Sequence, residues 1–224
     1  MRDRWSLFRG FLGPWTRQAA RRVIVGRQRS SDPASGRFTR SDVDRVVSRA
    51  WVTFADLSVD LPAQPTSGSR LNVRVACLTL AFFRALMEYG IARTYAIELT
   101  ADLTWNFYRK WRALRRFLKR GDPLGNFKSL SLGDVVPLSF PFNPPGYMAR
   151  WSPTPEAPIS FDMVRCPVPE LFRRHNSADV CVGSWCNLDY PLGEAVGLKL
   201  TWDRTLAEGD DRCTFRWTPV RTSR

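Results

Sequence analysis

Ten of the sixteen prolines lie between Pro123 and Pro169. Proline fixes φ and has no N–H to give to a helix or a sheet ladder, so this stretch excludes an interior helix or strand. It also separates two patterns. Before it, apolar residues recur at the 3.6-residue period of helices; after it, they alternate with a period of two. These patterns predict an α+β fold, with N-terminal helices packed on a small C-terminal antiparallel sheet that carries short cysteine-bearing helices. Residues 123–158 then form a proline-rich crossover, and Phe140, Phe142, Tyr147 and Trp151 give it an ordered packing face. With a hydrophobic fraction of 44%, residues 41–224 have enough apolar side chain for one domain with a buried core. Residues 1–40 form a basic N-terminal segment, a peripheral helix or loop.

The helical half has four parts. Residues 1–30 are rich in arginine, and Gly13 and Pro14 are expected to break their amphipathic pattern. Ser41 offers an N-cap, followed by Val43, Val46, Val47, Ala50, Trp51, Phe54 and Leu57 on one face. The run 71–89 is strongly apolar, but Arg74 and Arg84 interrupt it and Gly90 stops it short of the roughly 20 residues a membrane span needs. It reads as a buried helix in which Cys77 is a small packed side chain. A further helix to about residue 120 turns Tyr95, Leu99, Leu103, Phe107, Trp111, Leu114 and Leu118 inward.

A formal net charge of +13 raises the question of a polyanion partner. The basic residues are scattered along the chain, their densest cluster at 109–120 reads as a solvated helix face, and no aromatic-basic RNA-binding motif is present. A small-molecule partner is therefore expected, without nucleic acid and with a homo-oligomer left open. Five cysteines, an odd number without a signal-peptide pattern, suit free thiols in the cytoplasm.

Four of those cysteines and the only histidine fall within 165–217. Residues 159–164 alternate as a strand ending at Cys166. Pro167 and Pro169 open a short helix, and Ser177 is placed to cap another that carries Val180, Cys181, Trp185 and Leu188. On that helix Cys186 and Asp189 are three apart and share a face. After Pro191 and Gly193, Val196, Leu198, Leu200 and Trp202 alternate, and so do Cys213, Phe215 and Trp217. The resulting hairpin, with its turn between Gly209 and Asp210, pairs Cys213 with Leu206, Phe215 with Arg204 and Trp217 with Trp202.

Two chemistries fit these residues. A thiolate at Cys186 with the Asp189 carboxylate beside it could attack an electrophilic carbon, provided that a cation such as Arg165, Arg204 or His175 offsets the carboxylate. Zinc could be held by Cys166, Cys181, Cys186 and Cys213 with His175 in reserve. Structural zinc sites use pairs two to four residues apart, however, and here the closest pair has four residues between its members. No metal or cofactor is expected. Cys181 and Cys213 also fit as packed core residues, and a ligand-binding protein with an aromatic, thiol-lined pocket is the alternative to an enzyme.

Cys166-Pro167, Asp179 two before Cys181, Cys186 with Asp189 and Tyr190, and Gly209 before Cys213 and Phe215 together resemble the L-2-amino-thiazoline-4-carboxylic acid hydrolase family. The upstream LMEYGIARTYAIEL at 86–99 is similar to that family's preceding helical region. The resemblance extends over residues 70–217. It implies a cytoplasmic bacterial α+β hydrolase that opens a small cyclic amidine or thiazoline ring with water, giving N-carbamoyl-L-cysteine from the named substrate. That reaction needs a nucleophile, a proton carrier and a clamp for the substrate carboxylate. Cys186 is the expected nucleophile and Asp189 the proton carrier, with Cys166 beside them as a third catalytic candidate. Arg204 or Arg165 is the expected clamp, with Cys213 and Phe215 completing the substrate-binding set.

Overall fold

The computed structural model describes residues 3–119, 141–157, 159–194 and 197–220. The chain divides into two compact units, Met1–Leu61 with Cys77–Leu118, and Pro62–Ala76 with Lys119–Arg224. The fold class is α+β, with helices through the N-terminal half and a four-stranded antiparallel sheet in the C-terminal half.

The first unit is helical. Helix α1 (Asp3–Ile24) runs through Pro14 without the expected break. One missing backbone hydrogen bond is outweighed by the burial of Leu12, Ala19, Ala20 and Ile24 along the same helix. Helix α2 (Arg40–Leu57) buries every residue of its anticipated stripe. Its N-cap is Thr39 rather than Ser41. Thr39 and Asp42 cap each other reciprocally, whereas Asp44, the partner that a cap at Ser41 would need, is held by Arg21. Asp42 is almost fully buried and also accepts from Arg29, Arg45 and Tyr89; the Thr39 N–H above all, with Tyr89, the Thr39 hydroxyl and Arg45, holds its carboxyl below the usual carboxylate range.

Helix α3 (Ser67–Glu88) carries Cys77, which is buried and has its thiol pushed up to about 12 by burial, as a packed side chain should. Helix α4 (Arg93–Lys119) turns Ala96, Leu99 and Leu103 inward; its side chains from residue 110 on, including most of the basic cluster, lie outside the described residues. No helix among the described residues is long and apolar enough to cross a membrane.

The second unit holds strands β1 (Met148–Trp151), β2 (Ile159–Arg165), β3 (Leu198–Thr201) and β4 (Cys213–Pro219) in the order β1-β2-β4-β3. The crossover segment thus contributes a strand of its own. Residues 148–151 are free of proline and pair only at the sheet edge, where the proline argument does not reach. Residues 123–140 and 158 of that segment, with Phe140, lie outside the description.

In the centre, Met163 faces Cys213, Phe161 faces Phe215 and Ile159 faces Trp217. Across β3 and β4, Trp217 faces Leu200 rather than Trp202. The shift from the expected register is two residues, so the inward set is kept. Tyr147, Phe161, Met163, Leu200, Cys213 and Trp217 form the buried face of the sheet.

Between β2 and β3 the chain forms helix α5 (Pro167–Arg174), helix α6 (Ala178–Ser184), a 3-10 turn at Cys186–Leu188 and helix α7 (Asp189–Glu194). The single helix expected across 178–189 is therefore broken. Trp185 departs from helical geometry at φ −123° and ψ −58°, and the chain continues as a 3-10 turn. Helix α7 lies tight on the sheet at Gly193, where a Cβ would come within 2.2 Å of Trp217 Cζ3 and 2.9 Å of the Leu198 carbonyl oxygen.

Candidate active site

Cys166 is the N-cap of α5. The proline that follows keeps it extended, at φ −137° and ψ 121°, and itself fills the first helical position, where no N–H is required. The thiol therefore stands where strand β2 turns into a helix. Burial pushes it well up, Cys213, Cys186 and Asp189 add to the rise, and the Val168 N–H opposes it. Cys181, within α6, is fully buried and is pushed up by the same cause, with its hydrogen bond to Cys186 and the nearby Cys166 and Cys213 adding to the rise.

Cys186 opens the 3-10 turn and is half-buried. The i→i+3 bond of that turn runs from the Asp189 N–H to the Cys186 carbonyl oxygen, so the two residues stay adjacent although they do not share one helix. Asp189 begins α7. Its carboxyl is pushed up to about 7 by burial, and among the described residues no hydrogen bond reaches it. A carboxyl of this kind is partly protonated at neutral pH and able to give or take a proton.

Cys213 starts β4 and is buried. Its sulfur accepts the Leu206 N–H at 3.3 Å and lies 3.7 Å from Thr205 Oγ1. Burial pushes its thiol up to about 11. Thr205 Oγ1 is also 3.9 Å from Cys186 Sγ, so one hydroxyl touches a sulfur from the 3-10 turn and a sulfur from the sheet. Tyr147, just before β1, brings a buried hydroxyl that accepts from Asn72 Nδ2 at 2.8 Å. Its hydroxyl is held neutral by burial, with Cys166 and Cys181 among the groups acting on it. Phe215 stacks between Phe161, 4.9 Å away, and Trp217, 6.5 Å away.

Four thiols and Asp189 therefore form one cluster, all within the second unit. The two arginines differ from these groups in exposure. Arg165 is exposed at the end of β2, and Arg204 is exposed and pairs with Asp211 at 3.7 Å. The alternation that placed Arg204 on the apolar face stops with β3 at Thr201. For the Cys166, Cys181 and Cys213 thiols and for Asp189, burial is the largest influence, followed at the thiols by hydrogen bonds and by one another. His175 caps the C-terminus of α5. Among the described residues no group of three or more histidine, cysteine, aspartate or glutamate side chains is arranged to hold a metal ion.

Sequence reasoning missed Asn72 and Thr205 and saw Tyr147 only as loop packing. Asn72 left a trace as a polar residue in an apolar helical run, but Thr205 left none.

The sequence profile of the L-2-amino-thiazoline-4-carboxylic acid hydrolases matches residues 83–217. The chain belongs to this family. The match begins within α3 and ends at Trp217 in β4, so it includes all four clustered cysteines, Asp189, Tyr147 and Thr205, while Asn72 precedes it. Family membership makes the chain a hydrolase by class. Searches of curated proteins and of solved structures return no match.

Proposed function

We propose that the chain opens a small thiazoline or cyclic amidine ring with water, acting on L-2-amino-thiazoline-4-carboxylate or a close analogue in the cytoplasm. The observation that carries this reading is the Asp189 carboxyl, lifted to about 7 and set three residues after a half-buried thiol. Cys181 and Cys213 are buried; Cys166 and Cys186 are both half-buried, but the surroundings of Cys166 disfavour its thiolate, so Cys186 is the nucleophile in this reading.

In the first step the Cys186 thiolate adds to the ring carbon between nitrogen and sulfur of the protonated amidine. The carbon–sulfur bond of the ring breaks, and the departing sulfur takes the proton of Asp189. The substrate is now an isothiouronium joined to Cys186. Water then adds to the same carbon while the Asp189 carboxylate accepts its proton. Cys186 leaves as thiolate, the new carbonyl loses its proton to solvent, and the product carries a carbamoyl group and a free thiol. The sum is substrate plus one water, with the amidinium proton released.

Arg204 or Arg165 holds the substrate carboxylate in this scheme, and Arg204 would exchange Asp211 for it. Cys166, Cys213 and Phe215 complete the substrate-binding set in this scheme. Incubating purified protein with a panel of thiazolines and cyclic amidines tests the reading. The expected result is a mass gain of one water on a carboxylated thiazoline, lost in Cys186→Ala. No conversion of any panel member would contradict the assignment. Full turnover by Cys186→Ala would transfer the attack to water activated by Asp189.

A further inference from the structure

A thiol nucleophile in a half-buried setting needs something that favours its charged form, commonly a neighbouring cation. The polar groups around Thr205 supply an alternative. Thr205 is fully buried, and the turn that carries it is closed by bonds from its own N–H to Asp210 Oδ2 at 2.8 Å and from the Glu208 N–H to its carbonyl oxygen at 3.0 Å. The hydroxyl is thus held by its backbone. It has one proton and two lone pairs. The Ala207 N–H, 3.2 Å away, fills one lone pair. Two sulfurs compete for what remains, Cys213 at 3.7 Å and Cys186 at 3.9 Å.

The competition has a preferred outcome. Cys213 already accepts the Leu206 N–H at 3.3 Å, and its thiol, pushed up to about 11, keeps its own proton at neutral pH. That S–H fits the free lone pair of Thr205, which leaves the hydroxyl proton for Cys186.

We propose that Thr205 is a positioning residue whose hydroxyl donates to the Cys186 sulfur, as the end of a directed chain from the Leu206 N–H through Cys213 and Thr205. The chain favours charge on the Cys186 sulfur, which is only half-buried, and it keeps Cys213 a donor. This role rests on the reading of Cys186 as nucleophile, but its test does not require turnover.

The test is alkylation of Cys186 by iodoacetamide in the native protein, followed by peptide mass spectrometry across a pH series. Wild-type Cys186 is labelled. Thr205→Val slows that labelling about tenfold near neutral pH and moves the rate profile to higher pH, and Thr205→Ser restores the wild-type rate within about twofold, with equal melting temperatures confirming the fold. Thr205→Ala carries the same expectation if valine does not fold. Equal labelling in wild type and Thr205→Val, no rescue by serine, or no labelling of native wild-type Cys186 would each overturn the proposal. Protein that shows this alkylation pattern yet converts no thiazoline would keep the role of Thr205 and remove the ring-opening reading.

Discussion

At Asp189 the side chain is charged in the unfolded chain above about pH 4 and resists charging in the folded one. Its folded pKa of about 7 lies above the ordinary 3.8, so between those values the folded state holds a proton that the unfolded state has lost. Stability therefore falls as pH rises through that window and is lowest above it. Asp189→Asn removes this dependence. The variant should melt at a higher temperature than wild type at about pH 8, by on the order of 3 kcal/mol, and the two should converge near pH 4. Its turnover should fall about 100-fold or more, because a proton carrier is gone. A pH series of thermal melts on the two proteins checks the first expectation, and equal pH dependence would contradict the burial of the carboxyl.

The pairing of Cys186 with Asp189 was legible in the sequence, but for a different local reason. A spacing of three brings residues together in an α-helix and in a 3-10 turn alike, so the neighbour was right while the helix was not. Arg204 and Thr205 show the limit. Both follow the last residue of β3, where side-chain direction is set by the turns of 202–212 rather than by alternation.

At the scale of elements, α7 connects the site to the sheet. It is six residues long, too short to hold its geometry by itself, and Gly193 lets it approach Trp217 and Leu198 closely. A methyl group at that position cannot be placed without moving the helix or the indole ring. Gly193→Ala should cost about 1–3 kcal/mol in denaturant unfolding. Because Asp189 is the first residue of the same helix, kcat should drop about tenfold as well. Unchanged kcat in a destabilised variant would mean that the sheet absorbs the strain and α7 stays in place.

The long helices and the inward residues of the sheet were readable because each repeats one period over many residues. The helix break at Trp185, the edge strand β1 and the two-residue register shift were not, since each depends on partners distant in sequence.

For the molecule as a whole, the surplus of positive charge and the placement of the site belong to different accounts. All clustered thiols, Asp189, Thr205, Tyr147 and Asn72 lie in the unit formed by Pro62–Ala76 and Lys119–Arg224. The net charge of +13 bears on stability through self-repulsion. Raising NaCl from about 20 to about 200 mM should therefore raise the melting temperature, since the Debye length shortens from roughly 20 Å to under 10 Å. A fall over that range would show that the arginine–carboxylate pairs outweigh the repulsion.

The central claim is a covalent ring opening at Cys186. Intact-protein mass spectrometry of acid-quenched reactions with L-2-amino-thiazoline-4-carboxylate tests it most directly. The account predicts an adduct of one whole substrate mass on wild-type protein, mapped to Cys186, absent from Cys186→Ala and accumulating in Asp189→Asn, where water is no longer activated. Product formation without any adduct, together with turnover by Cys186→Ala at the wild-type rate, would contradict it.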